Sequence, residues 1–385
     1  MKLIFMNDIG VNLDSANLMS FYTLRKYYNY EVWDLSPIYG VSGTVKNIPE
    51  AVQVLSINEF SSKLNALVKD EKIVIITNMV EKPWKKLEHI VKKLQIPVIC
   101  TQKNNFFDIL RSNLAVDFTI KISCMKRVAY LILKYRLTRS ILSIVTKENV
   151  KFDYLISAYN SKPETVKHFI KAHNVKYDEF LLNRESANIV NRKYILFIDS
   201  SVYYHPIDFA KPDNVFRPDY YLEQINHYFD LIEVKCGLPV VIALHPVSTE
   251  KLSSESFNGR ETYYGKTAQL IQHAEFVMSH YSTSLINAVF AEKPVTVLSS
   301  KNIEKSLRKR QQSWALIFAK MCGFTMDSLD SPSVQIPQVD HEKYTAFMDK
   351  YLRNKECLDK PNSKIILELL RKIEYEKYNC KNNSI

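Results

Sequence analysis

Two polar motifs in the second half of the chain carry side chains that could bind a phosphate group. His245-Pro246 follows an apolar run, and Ser279-His280-Tyr281 leads into three consecutive hydroxyl residues, Ser282, Thr283 and Ser284. An imidazole can donate a hydrogen bond to a phosphate or protonate a leaving oxygen. Hydroxyl groups beside the free N–H groups of a helix N-terminus can hold phosphate oxygens, and such a site needs no metal ion. Each motif also has a purely structural interpretation, as a strand-end histidine or as a helix cap.

Two further cations lie in the stretch from Gly259 to Thr267. This stretch has five residues between Gly259 and Gly265, where the phosphate loop of ATPases has four, and it does not directly follow a strand. Lys266 and Thr267 instead suit the start of a helix, with Thr267 as a candidate N-cap residue and with Lys266 and Arg260 near a bound anion. A capped surface helix with no ligand is the alternative. The chain contains no G-x-G-x-x-G fingerprint, so a standard dinucleotide site is not predicted.

Three carboxylates could act as a general base that accepts the proton of a hydroxyl nucleophile. Asp199 and Asp208 follow the first predicted strand of the second half, and Asp8 follows the first predicted strand of the chain. Their spacing does not distinguish them, and each could instead be a turn or helix-capping residue. The sequence offers neither an Asp-x-Asp motif nor Cys and His at metal-ligand spacing, so we expect no metal and no cofactor.

Short apolar strands and amphipathic helices alternate along the chain and would position these residues. In the first half we predict strands at 2–6, 31–35, 72–77, 96–100 and 154–158, with helices at 15–28 and 84–94. In the second half we predict strands at 194–198, 239–244, 275–278 and 295–298, with helices at 220–236, at 267–273 and from 284 onward. Such runs are typical of buried parallel strands. In open α/β sheets ligands bind at the carboxyl edge, where the polar motifs fall.

This alternation predicts an α/β protein with two Rossmann-like, doubly wound domains and C-terminal helices. The 385 residues, 46% of them hydrophobic, are sufficient for two cores. We expect a first domain over residues 1–187, a second over 188–335 and a helical segment over 336–385. The polar stretch from Asn183 to Arg192 is the expected linker.

The charge balance favours an anionic partner. The chain carries 52 Lys+Arg against 41 Asp+Glu, a formal charge of +11, which suits a phosphorylated substrate, acidic lipid or nucleic acid. The segment from Lys121 to Lys147 interleaves basic and apolar residues, so it could form a helix on an anionic membrane surface or pack its apolar stripe on the sheet. No apolar run reaches the roughly 20 residues that span a bilayer, and the six cysteines are scattered. We therefore expect a cytoplasmic protein with reduced thiols.

The stretch from Tyr194 to Leu298 resembles the carboxyl half of bacterial GT-B glycosyltransferases that build surface polysaccharides. The residues that carry the resemblance are Asp199, His245-Pro246, Gly265-Lys266-Thr267, His280-Tyr-Ser282-Thr283-Ser284 and Lys293-Pro294-Val295. The stretch is most similar to enzymes that use CMP-activated acidic sugars, namely sialic acid-like nonulosonates and Kdo. The amino-terminal half is similar in architecture only.

The resemblance implies two Rossmann-like domains that face each other across a cleft, with the donor on the second domain and the acceptor against the first. It implies that His245 contacts the CMP phosphate and that Ser282, Thr283 and Ser284 supply hydroxyl and N–H groups. The predicted donor site also includes Pro246, Arg260, Lys266 and Thr267. The Asp-Asp-Gly or Glu-Asp-Gly element that carries the base in those enzymes has no copy here, and Asp8-Ile9-Gly10 is the nearest fragment. The catalytic candidates are therefore Asp199, Asp8 and His245.

The expected partners are a nucleotide-sugar donor and a capsule, lipopolysaccharide or O-antigen glycan, with peripheral association at the inner face of the plasma membrane. One alternative is a GT-B enzyme that uses a UDP- or GDP-sugar, either a transferase or a UDP-GlcNAc 2-epimerase. A nucleic-acid-binding protein is the alternative from another class. The basic residues are spread along the chain and no recognition motif occurs, so we expect no nucleic acid partner.

Overall fold

The computed structural model describes residues 1–7, 21–40, 50–77, 81–101, 152–158, 166–174, 176–202, 218–245, 248, 252–306 and 309–382. The chain divides into two compact units. The described part of unit 1 comprises the residues up to 101, those from 152 to 178 and those from Tyr351 onward; the described part of unit 2 runs from Glu179 to Lys350. Both predicted boundaries, 187/188 and 335/336, therefore lie inside unit 2.

Unit 1 contains a parallel sheet. Its described strands are β1 (Lys2–Asn7), β2 (Asn29–Asp34), β3 (Val52–Gln53), β4 (Ile73–Thr77), β5 (Val98–Thr101), β6 (Phe152–Ser157) and β7 (Val166–Lys171). They lie in the order β3-β2-β1-β4-β5-β6-β7, and every neighbouring pair is parallel. The chain starts inside the sheet and extends it in both directions, which is doubly wound topology. The sequence predicted β1, β2, β4, β5 and β6 and missed β3 and β7.

Unit 2 contains a second parallel sheet. Its described strands are β8 (Ile195–Ile198), β9 (Val240–Leu244), β10 (Thr262–Tyr264), β11 (Phe276–Ser279), β12 (Val295–Ser299) and β13 (Thr325–Ser328). Their order is β10-β9-β8-β11-β12-β13, again with parallel neighbours throughout. The predicted strands β8, β9, β11 and β12 are confirmed, and the sequence missed β10 and β13 at the two edges. The predicted fold class, two Rossmann-like α/β domains, is thereby confirmed.

The described helices are α1 (Ile57–Asp70), α2 (Glu81–Lys93), α3 (Lys176–Asn183), α4 (Pro218–Cys236), α5 (Thr267–His273), α6 (Leu285–Phe290), α7 (Lys301–Ser306), α8 (Lys309–Cys322), α9 (His341–Phe347) and α10 (Asn362–Asn382). Of the helix predicted over 15–28, the structure describes residues 21–28. Residues 21–24 are helical, and the chain turns after them. A π-helical turn spans Met348–Leu352. No helix in the described ranges combines the length and the apolar character that crossing a membrane requires.

The core of unit 1 explains why its strands read as continuous apolar runs. All five residues of β4 are buried, because helices cover both faces of a doubly wound sheet. Helix α1 is capped by Ser56, whose Oγ accepts the Glu59 N–H at 3.1 Å, and it buries Phe60 against Trp33. A local cap and an apolar stripe together place α1 on the sheet.

Helix α10 packs on the sheet of unit 1, so it is not part of a separate C-terminal segment. Its buried side chains share one apolar cluster with residues of β1, β4, β5 and β6; the helical members are Ile365, Ile366, Leu367, Leu369, Leu370 and Ile373. The fully buried His173 fastens the chain before α10, because its Nε2 bonds the Cys357 carbonyl oxygen at 2.9 Å and its Nδ1 accepts the Asn354 N–H at 3.0 Å. Burial lowers the pKa of His173. The predicted segment 336–385 is thus divided between the two units.

The core of unit 2 is built by β8, β9 and helix α4. Every residue of β8 and β9 is buried. Helix α4 begins with Pro218, which suits the first turn because its missing N–H would have no partner there. The helix buries aromatic side chains on the sheet, among them Tyr221, Tyr228 and Phe229. This packing fixes the level at which β8 and β9 end.

Candidate functional site

The carboxyl edge of the second sheet brings together most of the predicted donor-site residues. Asp199 follows β8, His245 follows β9, Lys266 and Thr267 follow β10, and Ser282, Thr283 and Ser284 follow β11. The strands β10, β9, β8 and β11 are consecutive neighbours in the sheet, and all of them are parallel. Their carboxyl ends therefore meet at one edge.

Asp199 holds the ends of β8 and β9 together. Its side chain is 4% exposed; Oδ1 accepts the Ser201 N–H at 2.8 Å, and Oδ2 accepts the His245 N–H at 3.1 Å. The Asp199 N–H donates to the Ala243 carbonyl oxygen at 3.0 Å. Both carboxylate oxygens are thus used to fix backbone, including the backbone of the half-buried His245. This geometry suits a positioning residue rather than the general base that the sequence suggested.

Two buried serines connect β8 to the loop after β11. The Ser279 hydroxyl donates to the Ile198 carbonyl oxygen at 2.9 Å, so the Ser200 hydroxyl must be the donor in the 3.0 Å contact between the two Oγ atoms. Ser200 Oγ in turn accepts the Tyr281 N–H at 3.3 Å. Neither serine was among the predicted site residues, although Ser279 begins the motif that leads to Ser282 and Ser200 follows Asp199. They fix where the Ser282–Ser284 loop leaves the sheet.

His280 is a buried structural histidine under the same loop. Its Nδ1 lies 2.9 Å from the Leu298 carbonyl oxygen and must carry the proton, so Nε2 accepts the Tyr221 hydroxyl at 3.0 Å. The ring is 2% exposed. Burial lowers its pKa to about 4, against the opposing effects of the Leu298 carbonyl and the Asp199 charge. A neutral His280 therefore ties α4 and β12 to the loop after β11.

The three hydroxyl residues form the turn that starts α6, as predicted. Ser282 Oγ accepts the Ser284 N–H at 3.2 Å, and Ser284 is the N-cap residue without a side-chain capping bond. Thr283 is exposed, and Ser282 and Ser284 are half-buried. All six residues of α6 are buried, so the helix cannot shift without disturbing the core. The hydroxyl groups of Ser282, Thr283 and Ser284 can each still donate a hydrogen bond to a ligand at this edge.

Lys266 and Thr267 lie at the carboxyl end of β10, next to the end of β9. Gly265 has a positive φ of 67°, which turns the chain from β10 into α5. The predicted N-cap was wrong by one residue: Lys266 is the N-cap, and its exposed side chain makes no capping bond, while Thr267 is the first helical residue. Tyr264, the residue before Gly265, is 58% exposed. The sequence did not select this aromatic side chain, although its place just before Gly265 at a strand end was a usable signal.

Arg260 does not join this group. It precedes β10, at the amino edge of the sheet, and its guanidinium is held by protein carboxylates. Its Nη2 lies 2.5 Å from Asp230 Oδ1 and 2.6 Å from Glu233 Oε2, and its side chain is 9% exposed. The guanidinium also lies over the Phe229 ring, 5.4 Å from the centroid. The expectation that Arg260 binds a donor anion was therefore wrong, because the arginine links α4 to the turn before β10.

Several other sequence predictions lie outside the described residues. They are the base candidates Asp8 and Asp208, the donor residue Pro246 and the basic segment from Lys121 to Lys147. Among the cysteines that the structure describes, Cys100, Cys236, Cys322 and Cys357 are free thiols. Burial raises the pKa of the Cys100 thiol to about 12.

Known structures match the fold over almost the whole chain. The H444N variant of the Wall Teichoic Acid Polymerase TagF has a TM-score of 0.50 with 14% identity, over 98% of this chain and 90% of that chain. A TagF variant soaked with CDPG has a TM-score of 0.51 with 14% identity over the same shares. The fold is that of the GT-B glycosyltransferases. A Methanocaldococcus jannaschii UDP-GlcNAc 2-epimerase, in complex with UDP-GlcNAc and UDP, has a TM-score of 0.43 with 14% identity, over 97% of this chain and 100% of that one.

Neither a family model nor a curated protein sequence matches the chain. At identities this low the structural likeness establishes the GT-B architecture and nothing finer. The predicted GT-B fold is confirmed.

Proposed function

We propose that this protein is a glycosyltransferase that transfers an acidic sugar, a nonulosonate or Kdo, from a CMP-activated donor to a surface glycan. The observation that carries the proposal is the hydrogen-bonded frame at the carboxyl edge of the second sheet. In it Asp199 fixes the backbone of His245, and Ser200 fixes the loop that presents Ser282, Thr283 and Ser284. Ligands of doubly wound sheets bind at such an edge.

The chemistry expected of this edge is stabilisation of a departing phosphate. Cleavage of a CMP-sugar bond leaves negative charge on the phosphate, and preorganised donors next to that charge lower the barrier. In the proposal the His245 imidazole donates to a phosphate oxygen or protonates it. The hydroxyl groups of Thr283 and Ser284 add neutral donors, and the exposed Lys266 ammonium adds a positive charge.

Asp199 enters the proposal as a positioning residue. Because its two oxygens already accept backbone N–H groups in a buried setting, it is poorly placed to take a proton from an acceptor hydroxyl. The general base is therefore sought elsewhere, and Asp8 remains the candidate from the sequence. The exposed Tyr264 ring, on the last residue of β10 at the same edge, is proposed to stack on the nucleobase.

Two donor chemistries compete with this assignment. The TagF variant named above was soaked with CDPG, so a cytidine diphosphate donor belongs among the candidates. A UDP- or GDP-sugar transferase or an epimerase is equally compatible with the fold. Product analysis with a UDP-sugar alone separates the epimerase, which needs no acceptor. We propose a lipid-linked glycan as the acceptor and peripheral attachment to the inner membrane surface, to which the net charge of +11 is suited.

The first experiment is a thermal-shift series with CMP, CDP, UDP, GDP and ADP. A ligand at a hundred times its dissociation constant adds about 2.7 kcal/mol to the free energy of unfolding. We expect cytidine nucleotides to raise the melting temperature selectively. A selective response to UDP or GDP would keep the site and replace the donor, and no response to any nucleotide would refute the proposed function.

The His245→Ala variant tests the residue assignment. We expect nucleotide affinity to fall at least about tenfold, the equivalent of 1.4 kcal/mol, and turnover to be nearly abolished. The backbone bond from His245 to Asp199 survives this change, and the melting temperature without nucleotide shows whether the fold is kept. His227→Ala is the matched control, because His227 is an exposed histidine on α4 in the same unit. Affinity of wild-type strength in the His245 variant would remove His245 from the site.

A further inference from the structure

The carboxyl edge of the first sheet contains a buried carboxylate that the protein only half satisfies. Asp34 is the last residue of β2 and is completely buried. Its Oδ1 accepts the Ser36 N–H at 2.9 Å. Its Oδ2 and the Ser36 hydroxyl, which is also buried, have no hydrogen-bond partner among the residues that the structure describes. Two unsatisfied polar atoms therefore lie two residues apart at the same strand end.

Other buried polar atoms among the described residues also have no partner, but Asp34 Oδ2 is the carboxylate oxygen in that group. The buried Asp327 on β13 shows how a carboxylate is usually satisfied. Asp327 Oδ1 accepts the N–H groups of Ser328 and Ser333 and the Ser333 hydroxyl, and Oδ2 accepts the Tyr228 hydroxyl and the Val334 N–H. A buried acceptor without a donor costs stability, so proteins rarely retain one unless something else supplies the donor. A missing hydrogen-bond donor at Asp34 is the feature to be explained.

The position of Asp34 in the sheet points to the kind of group that would supply this donor. Asp34 is paired in register with Asn7, the last residue of β1, and β1 lies between β2 and β4. The strand order reverses at β1, because β2 and β3 extend the sheet to one side of it and β4 to β7 extend it to the other. Ligands of doubly wound sheets bind beside such a reversal. In nucleotide-binding sheets of this topology, an acidic residue beyond the first helix accepts a hydrogen bond from a sugar hydroxyl.

We propose that Asp34 and Ser36 form a subsite for a pair of neighbouring hydroxyl groups on a sugar ring. One hydroxyl donates to Asp34 Oδ2, and the other pairs with the Ser36 hydroxyl, which can donate or accept. A hydrogen bond to a carboxylate in a water-excluded setting is strong, because few other dipoles compete with it.

The inference rests on the proposed function in one respect, because an acceptor glycan is the sugar that a glycosyltransferase would bring to unit 1. The ribose of a nucleoside offers the same pair of hydroxyl groups. The two sources are separated by probing the full-length protein with a panel of methyl glycosides and with cytidine and 2′-deoxycytidine. Ligand-observed NMR detects the binding, and titration gives the affinities.

We expect at least one methyl glycoside to bind, and Asp34→Asn to weaken that binding at least tenfold. Ser36→Ala should weaken it by a smaller factor without lowering the melting temperature, because it deletes an unsatisfied buried hydroxyl. If cytidine instead binds at Asp34 and 2′-deoxycytidine does not, the subsite takes ribose. Asp327→Asn is the buried-acid control: it should lower the melting temperature and leave glycoside affinity unchanged.

Two results would overturn the inference. One is that no glycoside and no nucleoside in the panel binds the wild-type protein; the other is that Asp34→Asn and Ser36→Ala bind every probe as the wild type does. Failure of the proposed function is recognised separately, as the absence of any melting shift with CMP, CDP, UDP, GDP or ADP. The glycoside readout does not depend on that series, so either hypothesis can fail alone.

Discussion

The carboxyl edges of the two sheets differ in how completely the protein satisfies its own polar groups. At the second edge Asp199 uses both oxygens and His280 both ring nitrogens in bonds to the protein. At the first edge Asp34 leaves Oδ2 without a donor, and the Ser36 hydroxyl is likewise unmatched within the described residues. Both carboxylates lie at the carboxyl ends of parallel strands and both are buried, so neither topology nor burial explains the difference.

The difference separates two ways of preparing a binding site. At the second edge the buried carboxylate and imidazole hold the backbone, and exposed groups such as Lys266 and Thr283 are available to a ligand. At the first edge the buried Asp34 Oδ2 and the Ser36 hydroxyl are themselves the groups proposed to bind the ligand. We therefore expect substitution of the buried carboxylate to act mainly on stability at the second edge, where Asp199 is already satisfied, and mainly on binding at the first, where Asp34 is not.

The largest expected effect comes from the matched pair Asp199→Asn and Asp34→Asn. The asparagine amide at position 199 must face one of the two backbone N–H groups that the carboxylate now accepts, so we expect the free energy of unfolding to fall by about 2–4 kcal/mol. At position 34 the remaining oxygen can still accept the Ser36 N–H, and we expect a loss of less than about 1 kcal/mol. Urea denaturation followed by circular dichroism measures both. Equal losses would erase the distinction between the edges.

A second effect of similar size should appear as pH dependence. Folding lowers the pKa of His280 from 6.5 to about 4, so between these values the unfolded chain binds a proton that the folded chain does not. The stability that His280 contributes is fully present above about pH 6.5 and is lost as the pH falls toward 4, in total on the order of 3 kcal/mol.

The His280→Gln variant isolates this contribution. It should be less stable than the wild type at pH 7, because the Tyr221 hydroxyl and the Leu298 carbonyl lose their shared partner. The gap between variant and wild type should narrow as the pH is lowered to 4.5. His173 in unit 1 also has a pKa lowered by burial, and its contribution cancels in this difference. A gap that stays constant with pH would mean that His280 is not the titrating group.

The smallest effect concerns Ser201, where the second edge is not fully satisfied. Ser201 has a φ of 53°, in the left-handed region, and its buried Oγ has no partner in the described part of the chain. Ser201→Gly relieves the backbone strain but adds freedom to the unfolded chain, so we expect a net gain of about 0.5 kcal/mol. Calorimetry in the presence and absence of CMP checks this. If the gain comes with weaker CMP binding, the Ser201 hydroxyl belongs to the donor site, and the two edges are more alike than proposed.

The sequence predicted the central strands of both sheets because their apolar runs are long and buried on both faces. It missed β3 and β10 because these edge strands have two and three residues and are partly exposed, which leaves almost no pattern. The carboxyl-edge positions of Asp199 and His245 followed directly from the strand assignments. Their roles did not follow, because the N–H groups that occupy Asp199 include one that is 46 residues away.

Long-range partners also explain the errors at Arg260 and in the C-terminal segment. An arginine near a glycine turn looks like an anion ligand until Asp230 and Glu233, about thirty residues earlier, are seen to neutralise it. Likewise the apolar stripe of α10 indicates burial, but either sheet could have supplied the surface. Only the fold shows that the stripe lies in the core of unit 1.

The place of α10 determines the order in which the two cores can be completed during synthesis. Domains tend to fold as the chain emerges, the amino-terminal parts first. Here the described residues of unit 2 have all been synthesised before α10 is made. Unit 2 can therefore fold while unit 1 still lacks the helix that packs on its sheet. Until α10 docks, the apolar surface around Leu3, Phe5 and Ile76 lacks the cover that the helix provides. A nascent chain that stalls before residue 362 would therefore expose apolar surface on the first sheet. We expect chaperones to bind the protein in this form.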